Sequence, residues 1–182
     1  MLPPSDHLLR TLAPIAPGSR VLDLGCRSSR HVRPFLQLGF DAHAACPDAS
    51  VTEELRTALA SDFPHQDLER SIITTQPEEL GYDDEFFDWV VAYRTFGADA
   101  RLEDVLASFV EVRRVLRSGG WFYVAMDVPS DPPATNDERI MSVYALLERA
   151  GFELSEKGSV IEENGAPVVR AIFRRVDEHT PL

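Results

Sequence analysis

The chain of 182 residues carries 30 acidic and 18 basic side chains, a formal net charge of −12 and 44% hydrophobic residues. This size and apolar fraction suit one domain, residues 1–182, and exclude disorder, collagen and coiled coil. No apolar run approaches the roughly 18 residues that span a bilayer. The negative field repels nucleic acid and anionic membrane, so neither is expected as a partner. Met1 to Asp6 lacks the basic start and apolar run of a secretory signal, so a cytoplasmic location is expected.

Short apolar runs alternate with longer amphipathic segments along the chain. After the turn residues Pro17-Gly18, the run Arg20 to Leu24 predicts a first strand. Ser29 to Leu38 predicts a helix stopped by Gly39, with Pro34 tolerated near its first turn. Asp41 to Cys46 follows as a second strand, and Ser50 to Ala60 as a helix with Ser50 at its N-cap. The β-branched run Ser71 to Thr75 and the run Asp88 to Tyr93 predict the third and fourth strands. From Leu102 to Leu116, Val105, Leu106, Phe109, Val112, Val115 and Leu116 share one helical face, with Ser118-Gly119-Gly120 as the stop. Trp121 to Met126 is then a strand and Ile140 to Ala150 a helix. Glu153 to Ile161 and Val168 to Arg175 close the chain as a hairpin across Asn164-Gly165.

Strands alternating with helices predict an α/β three-layer sandwich of Rossmann-like type. Its sheet is mostly parallel, with a C-terminal antiparallel hairpin. Ligands of such sheets sit beyond the strand C-termini at the switch point, which directs attention to the residues after Leu24, Ala45, Thr75 and Val91.

Five pieces in order carry a resemblance: PGSRVLDLGCRSSRHV, LGFDAHAACPDAS, YDDEFFDWVVAYRTF, LASFVEVRRVLRSGGWFYVAM and LLERAGF. Together they resemble the class I S-adenosylmethionine-dependent methyltransferases of the small type-11 kind, from about Leu9 to Arg175. The resemblance implies S-adenosylmethionine as cofactor. It places Asp23, Gly25, Cys26, Arg27, Ser29, Cys46, Asp48, Gln76 and Tyr93 around it, with Arg94 facing the substrate. Gln76 matches the position that meets the adenine amino group.

The cofactor loop departs from the family's D-x-G-x-G-x-G. Asp23 and Gly25 are kept, but Arg27 and Ser29 stand at the second and third glycine positions. A guanidinium about 6 Å from the sulfonium would repel it by roughly 3 kcal/mol at an effective dielectric near 20. Where the family has an acid accepting from both ribose hydroxyls, this chain has Cys46, a poor acceptor. Losing a charged acceptor costs roughly 1.5–3 kcal/mol. Asp48 is the residue that could replace it if its loop bends inward.

Cys26 and Cys46 lie near the tips of adjacent predicted strands and are candidate neighbours; two free thiols are expected there rather than a redox pair, as a reducing cytoplasm favours, and two cysteines are too few for a disulfide framework. Their spacing from His31 and His43 matches no zinc pattern, so no metal is expected. Arg113-Arg114, Arg174-Arg175, Glu78-Glu79 and Asp83-Asp84-Glu85 read as solvated surface charges, and Trp89 and Trp121 as packing residues.

Two functions follow. One is methyl transfer to an unknown small-molecule or protein acceptor with an atypical cofactor loop, relying on proximity and orientation because no general base stands out. The other is a catalytically inactive protein of methyltransferase fold that has lost the cofactor. It would serve as an interaction or regulatory module, with Arg27 at a helix entry favouring an anionic ligand. Asp127 to Asp137 is a short, proline-rich segment, so the cleft is expected to be open. An open cleft suits a large substrate, or a homodimer that supplies the lid.

Overall fold

The structure is a computed structural model that describes residues 4–28, 30–97, 100–127, 135–163 and 165–176. Ser29, residues 128–134 of the proline-rich segment and Asn164 of the hairpin turn lie outside the described residues. Five strands run parallel: β1 (Arg20–Leu24), β2 (Asp41–Cys46), β3 (Ile72–Thr74), β4 (Phe87–Tyr93) and β5 (Leu116–Asp127). The closing hairpin is β6 (Phe152–Glu163) and β7 (Ala166–Arg175). β7 lies antiparallel against β5, giving the order β3-β2-β1-β4-β5-β7-β6. The order reverses between β1 and β4, where helices leave to opposite faces and a crevice opens beyond the strand ends.

Central strands are buried on both faces because helices cover both. Leu22, Leu24, Val90, Ala92, Phe122 and Val124 pack with residues of α5 (Leu102–Val115) and α6 (Asn136–Arg149), including Phe109, Val112 and Leu147. On the other face Val21, Val91, Tyr123 and Ala125 meet residues of three helices. These are α1 (Asp6–Leu12), α2 (Val32–Gln37) and α3 (Ala49–Ala60). Leu8, Leu12, Phe35, Leu55 and Leu59 make the helix side of that layer. The three-layer α/β sandwich with its antiparallel end is therefore the architecture. Among the described residues no helix is long and apolar enough to cross a membrane.

Several element boundaries differ from the sequence expectation, each for a local reason. Asp48, not Ser50, caps α3: its carboxylate accepts from Ser50 N and Ser50 Oγ, both at 2.7 Å. Ser71 ends a short helix, α4 (Leu68–Ser71), capped by Asp67, so β3 begins only at Ile72. α1 is an addition to the expected elements: Ser5 accepts from Leu8 N as its cap, and Leu8 and Leu12 are buried four residues apart. The stop at Ser118-Gly119-Gly120 is not a break. α5 passes into β5 at Leu116, and the irregular register between Phe87 and Trp89 absorbs the offset.

The arginines expected as surface charges are structural ties. Arg114 donates to the carbonyls of Leu80 and Tyr82 at 2.8 Å and to Asp84 and Glu111, holding the loop before β4 against α5. Arg175 bonds the Leu116 carbonyl and pairs with Glu85 at 2.9 Å. Asp84 and Glu85 are thus partnered rather than merely solvated.

Candidate cofactor and substrate site

The loop after β1 continues the ladder with β2 for two residues. Gly25 N and Cys26 N both donate to Ala45 O, at 2.8 and 3.1 Å. Gly25 is needed there twice over: its φ is +72°, and an added Cβ would lie 2.3 Å from the Thr95 side chain. Since Leu24 stands opposite Ala45, Cys26 is carried to a Cα separation of 4.9 Å from Cys46, and their sulfurs form a disulfide. The expectation of free thiols is corrected: parallel register brings the two strand tips together across 20 residues of sequence. Cys46 is fully buried, so its sulfur offers nothing to a ribose.

Beyond these strand ends lies a cavity of about 230 Å³ lined by residues that include Gly25, Arg27, Pro47, Gln76, Glu78, Thr95 and Asp104. Arg27 is exposed on its wall, so water screens its charge. Gln76 Nε2 donates to Pro47 O at 3.2 Å, which leaves Oε1 as an acceptor at the cavity. Asp48 is occupied as the cap of α3 and is not among the lining residues; hydrogen bonds from Ser50 hold its carboxyl below the usual range. The carboxylates at the wall are instead Glu78 and Asp104. Sequence reasoning read Glu78 as a solvated surface charge and did not single out Asp104 or Thr95. The signal for Glu78 was its place two residues after Gln76, and for Thr95 its place just beyond β4.

Of the other predicted residues, Asp23 and Tyr93 lie on the α1 side of the sheet. Asp23 is 4% exposed and burial pushes its carboxyl up to about 8, with Arg30 pulling it down; His31 Nδ1 lies 3.9 Å away. Tyr93 packs its ring 4.9 Å from that of His31 and 6.5 Å from that of Tyr123, with the Arg30 guanidinium 4.9 Å above it. Arg94 turns the chain with φ +53°, donating its backbone N–H to Ala125 O at 2.7 Å and pairing with Asp127 at 2.9 Å. A non-glycine residue held in the left-handed region is strained backbone of the sort that clusters at functional sites.

Residues 22–124 match the methyltransferase domain family. No curated protein matches the chain. Among solved structures it is similar to a SAM-dependent methyltransferase from Methanosarcina mazei, at 14% identity, 97% of this chain, 100% of that chain and TM-score 0.75. It is similar also to the YcgJ protein from Bacillus subtilis, at 13% identity, 95% of this chain, 100% of that chain and TM-score 0.71. The [4+2]-cyclase SpnF shares the fold too, at 14% identity, 94% of this chain, 80% of that chain and TM-score 0.67. The family match covers more than half of the chain. The chain belongs to the methyltransferase domain family, with the class I S-adenosylmethionine-dependent methyltransferase fold.

Proposed function

We propose that the protein transfers a methyl group from S-adenosylmethionine to a small-molecule or protein acceptor, using an atypical cofactor loop. The observation that carries this reading is the cavity at the ends of β1 to β4, where Gly25, Gln76 and Glu78 share one wall system. Gln76 Oε1 is an acceptor suited to an adenine amino group, and Glu78 supplies the carboxylate that Cys46 lacks for a ribose. Those residues fit the adenosine end of the cofactor, which when bound supplies an electrophilic methyl group. Arg27 stands in the glycine position but on the solvent side, so its repulsion of a cation is weakened by screening.

A second reading is favoured by the disulfide at Cys46 together with Arg27: a protein of this fold that has lost the cofactor and serves as an interaction or regulatory module, with an anionic ligand at Arg27. Thermal unfolding with S-adenosylhomocysteine, in oxidised and in reduced protein, separates the two. Ligand at about 100 times its dissociation constant adds roughly 2.7 kcal/mol, a rise of about 5–10 °C for a chain of this length. The same titrations on Arg27→Gly are expected to tighten cationic S-adenosylmethionine several-fold and leave the neutral homocysteine product nearly unchanged. No shift in either redox state, at millimolar ligand, would overturn methyl transfer in favour of the second reading.

A further inference from the structure

On the α1 side of β4 lies a second concavity, a cleft of about 440 Å³ lined by Ser5, Asp6, His7, Arg10, Tyr93 and Arg170. Its volume falls in the range of sites that hold small molecules, roughly 300–1,000 Å³. α1 and β7 both contribute lining residues, and the end of β4 separates the cleft from the cavity at Gly25, since Tyr93 lines one and Thr95 the other.

The cleft's lining brings two arginines and one carboxylate together. Asp6 and Arg10 form an ion pair at 3.0 Å, so they offset each other. Among the lining residues Arg170 is then the one cation beyond that pair, with the Glu156 carboxylate close enough to act on His7 against it. Arg170 Nε is fixed by Ser159 Oγ at 2.8 Å, which anchors the guanidinium on the sheet. Beside it His7 Nδ1 meets the hydroxyl of Tyr123 at 3.1 Å, a bond joining residues 116 positions apart. Burial and Arg170 both lower the pKa of His7 against the opposing pull of Glu156 and Asp6. A neutral imidazole backed by a phenol is a hydrogen-bonding partner for a hydroxyl or amine, and a fixed guanidinium is a partner for a carboxylate.

We infer that this cleft binds a compact carboxylic acid that also bears a hydroxyl or amino group, with Arg170 taking the carboxylate and His7 the second group. That such a molecule is the methyl acceptor rests on the methyl-transfer reading above; the binding itself does not.

The test uses the full chain without cofactor, titrated by calorimetry with the 2-, 3- and 4-hydroxybenzoates and with the matching hydroxybenzyl alcohols, which keep the hydroxyl and lose the carboxylate. At least one acid is expected to bind roughly tenfold or more tightly than its alcohol, as a charge-assisted hydrogen bond implies. Arg170→Gln is expected to erase that preference and Arg170→Lys to keep most of it, while His7→Ala weakens acid and alcohol alike. Circular dichroism confirms that each variant is folded. Absence of binding, equal affinity for acid and alcohol, or a preference that survives in folded Arg170→Gln would overturn the inference. Binding of the acid by a protein that ignores S-adenosylhomocysteine would uphold the cleft and sink methyl transfer. The reverse pattern would sink the cleft and leave methyl transfer standing.

Discussion

Asp23 shows how one residue can be legible in the motif and still differ in role. The motif marks it as a cofactor residue, yet it is buried beside His31 and lines neither concavity, and its carboxyl is pushed up to about 8. The ordinary value is 3.8, so between about pH 4 and pH 8 the folded protein holds a proton that the unfolded chain has released. The stabilisation this neutral form provides is complete below pH 4 and lost as pH rises through 8. Across that window each pH step of one changes stability by roughly 1.4 kcal/mol. Asp23→Asn is expected to match the wild type near pH 4 and to exceed it by a few kcal/mol at pH 9, read from urea unfolding across that range. A wild-type profile without this slope would mean that Asp23 is ionised in the fold. Arg27 and Gln76 were legible through the family resemblance, which matches them to positions two or three residues beyond a strand end. Glu78 and Arg170 were not, because one sits in an acidic loop and the other in a strand with no motif of its own.

At the scale of elements, the tie between the loop after β1 and the tip of β2 decides how the site is held. The Cys26–Cys46 bond closes 20 residues that include α2 and most of β2. A loop of that length is worth about 3 kcal/mol in the chain-entropy account. The Cys26→Ser, Cys46→Ser double variant, or reduction of the native protein, is expected to lower the thermal midpoint by roughly 6–12 °C, as calorimetry would show. An unchanged midpoint would mean that the ladder from Ala45 to Gly25 and Cys26 already fixes the loop. The sequence put both cysteines near the tips of adjacent strands, but the bond between them depends on register, which spacing does not contain. Elements whose signals are local were legible: β2 was predicted from Asp41 to Cys46 as it stands, and α5 to within a residue. α4 was not, because four residues capped by Asp67 leave no periodicity to read.

For the molecule as a whole, the sheet divides one hydrophobic layer from another, and Phe122 sits at the heart of one of them. Its ring is fully buried, 5.6 Å from that of Phe109 in α5 and 5.3 Å from that of Phe152 in β6. Phe122→Ala is expected to cost about 3–5 kcal/mol through lost transfer energy and the cavity left behind. The urea midpoint should fall at an unchanged slope. A loss below about 1 kcal/mol would mean that the helix layer closes over the gap.

The order of residues was enough for the alternation of strands and helices, and with it the sandwich and the methyltransferase resemblance. Apolar periodicity and turn residues act over a few positions, so they can be read without knowing what lies across the sheet. Three outcomes came only with the folded chain: Cys26 meets Cys46, Asp48 is spent on a helix cap, and His7, Tyr93 and Arg170 share a cleft. They depend on register and on which strand ends adjoin, distances that the order of residues along the chain does not contain.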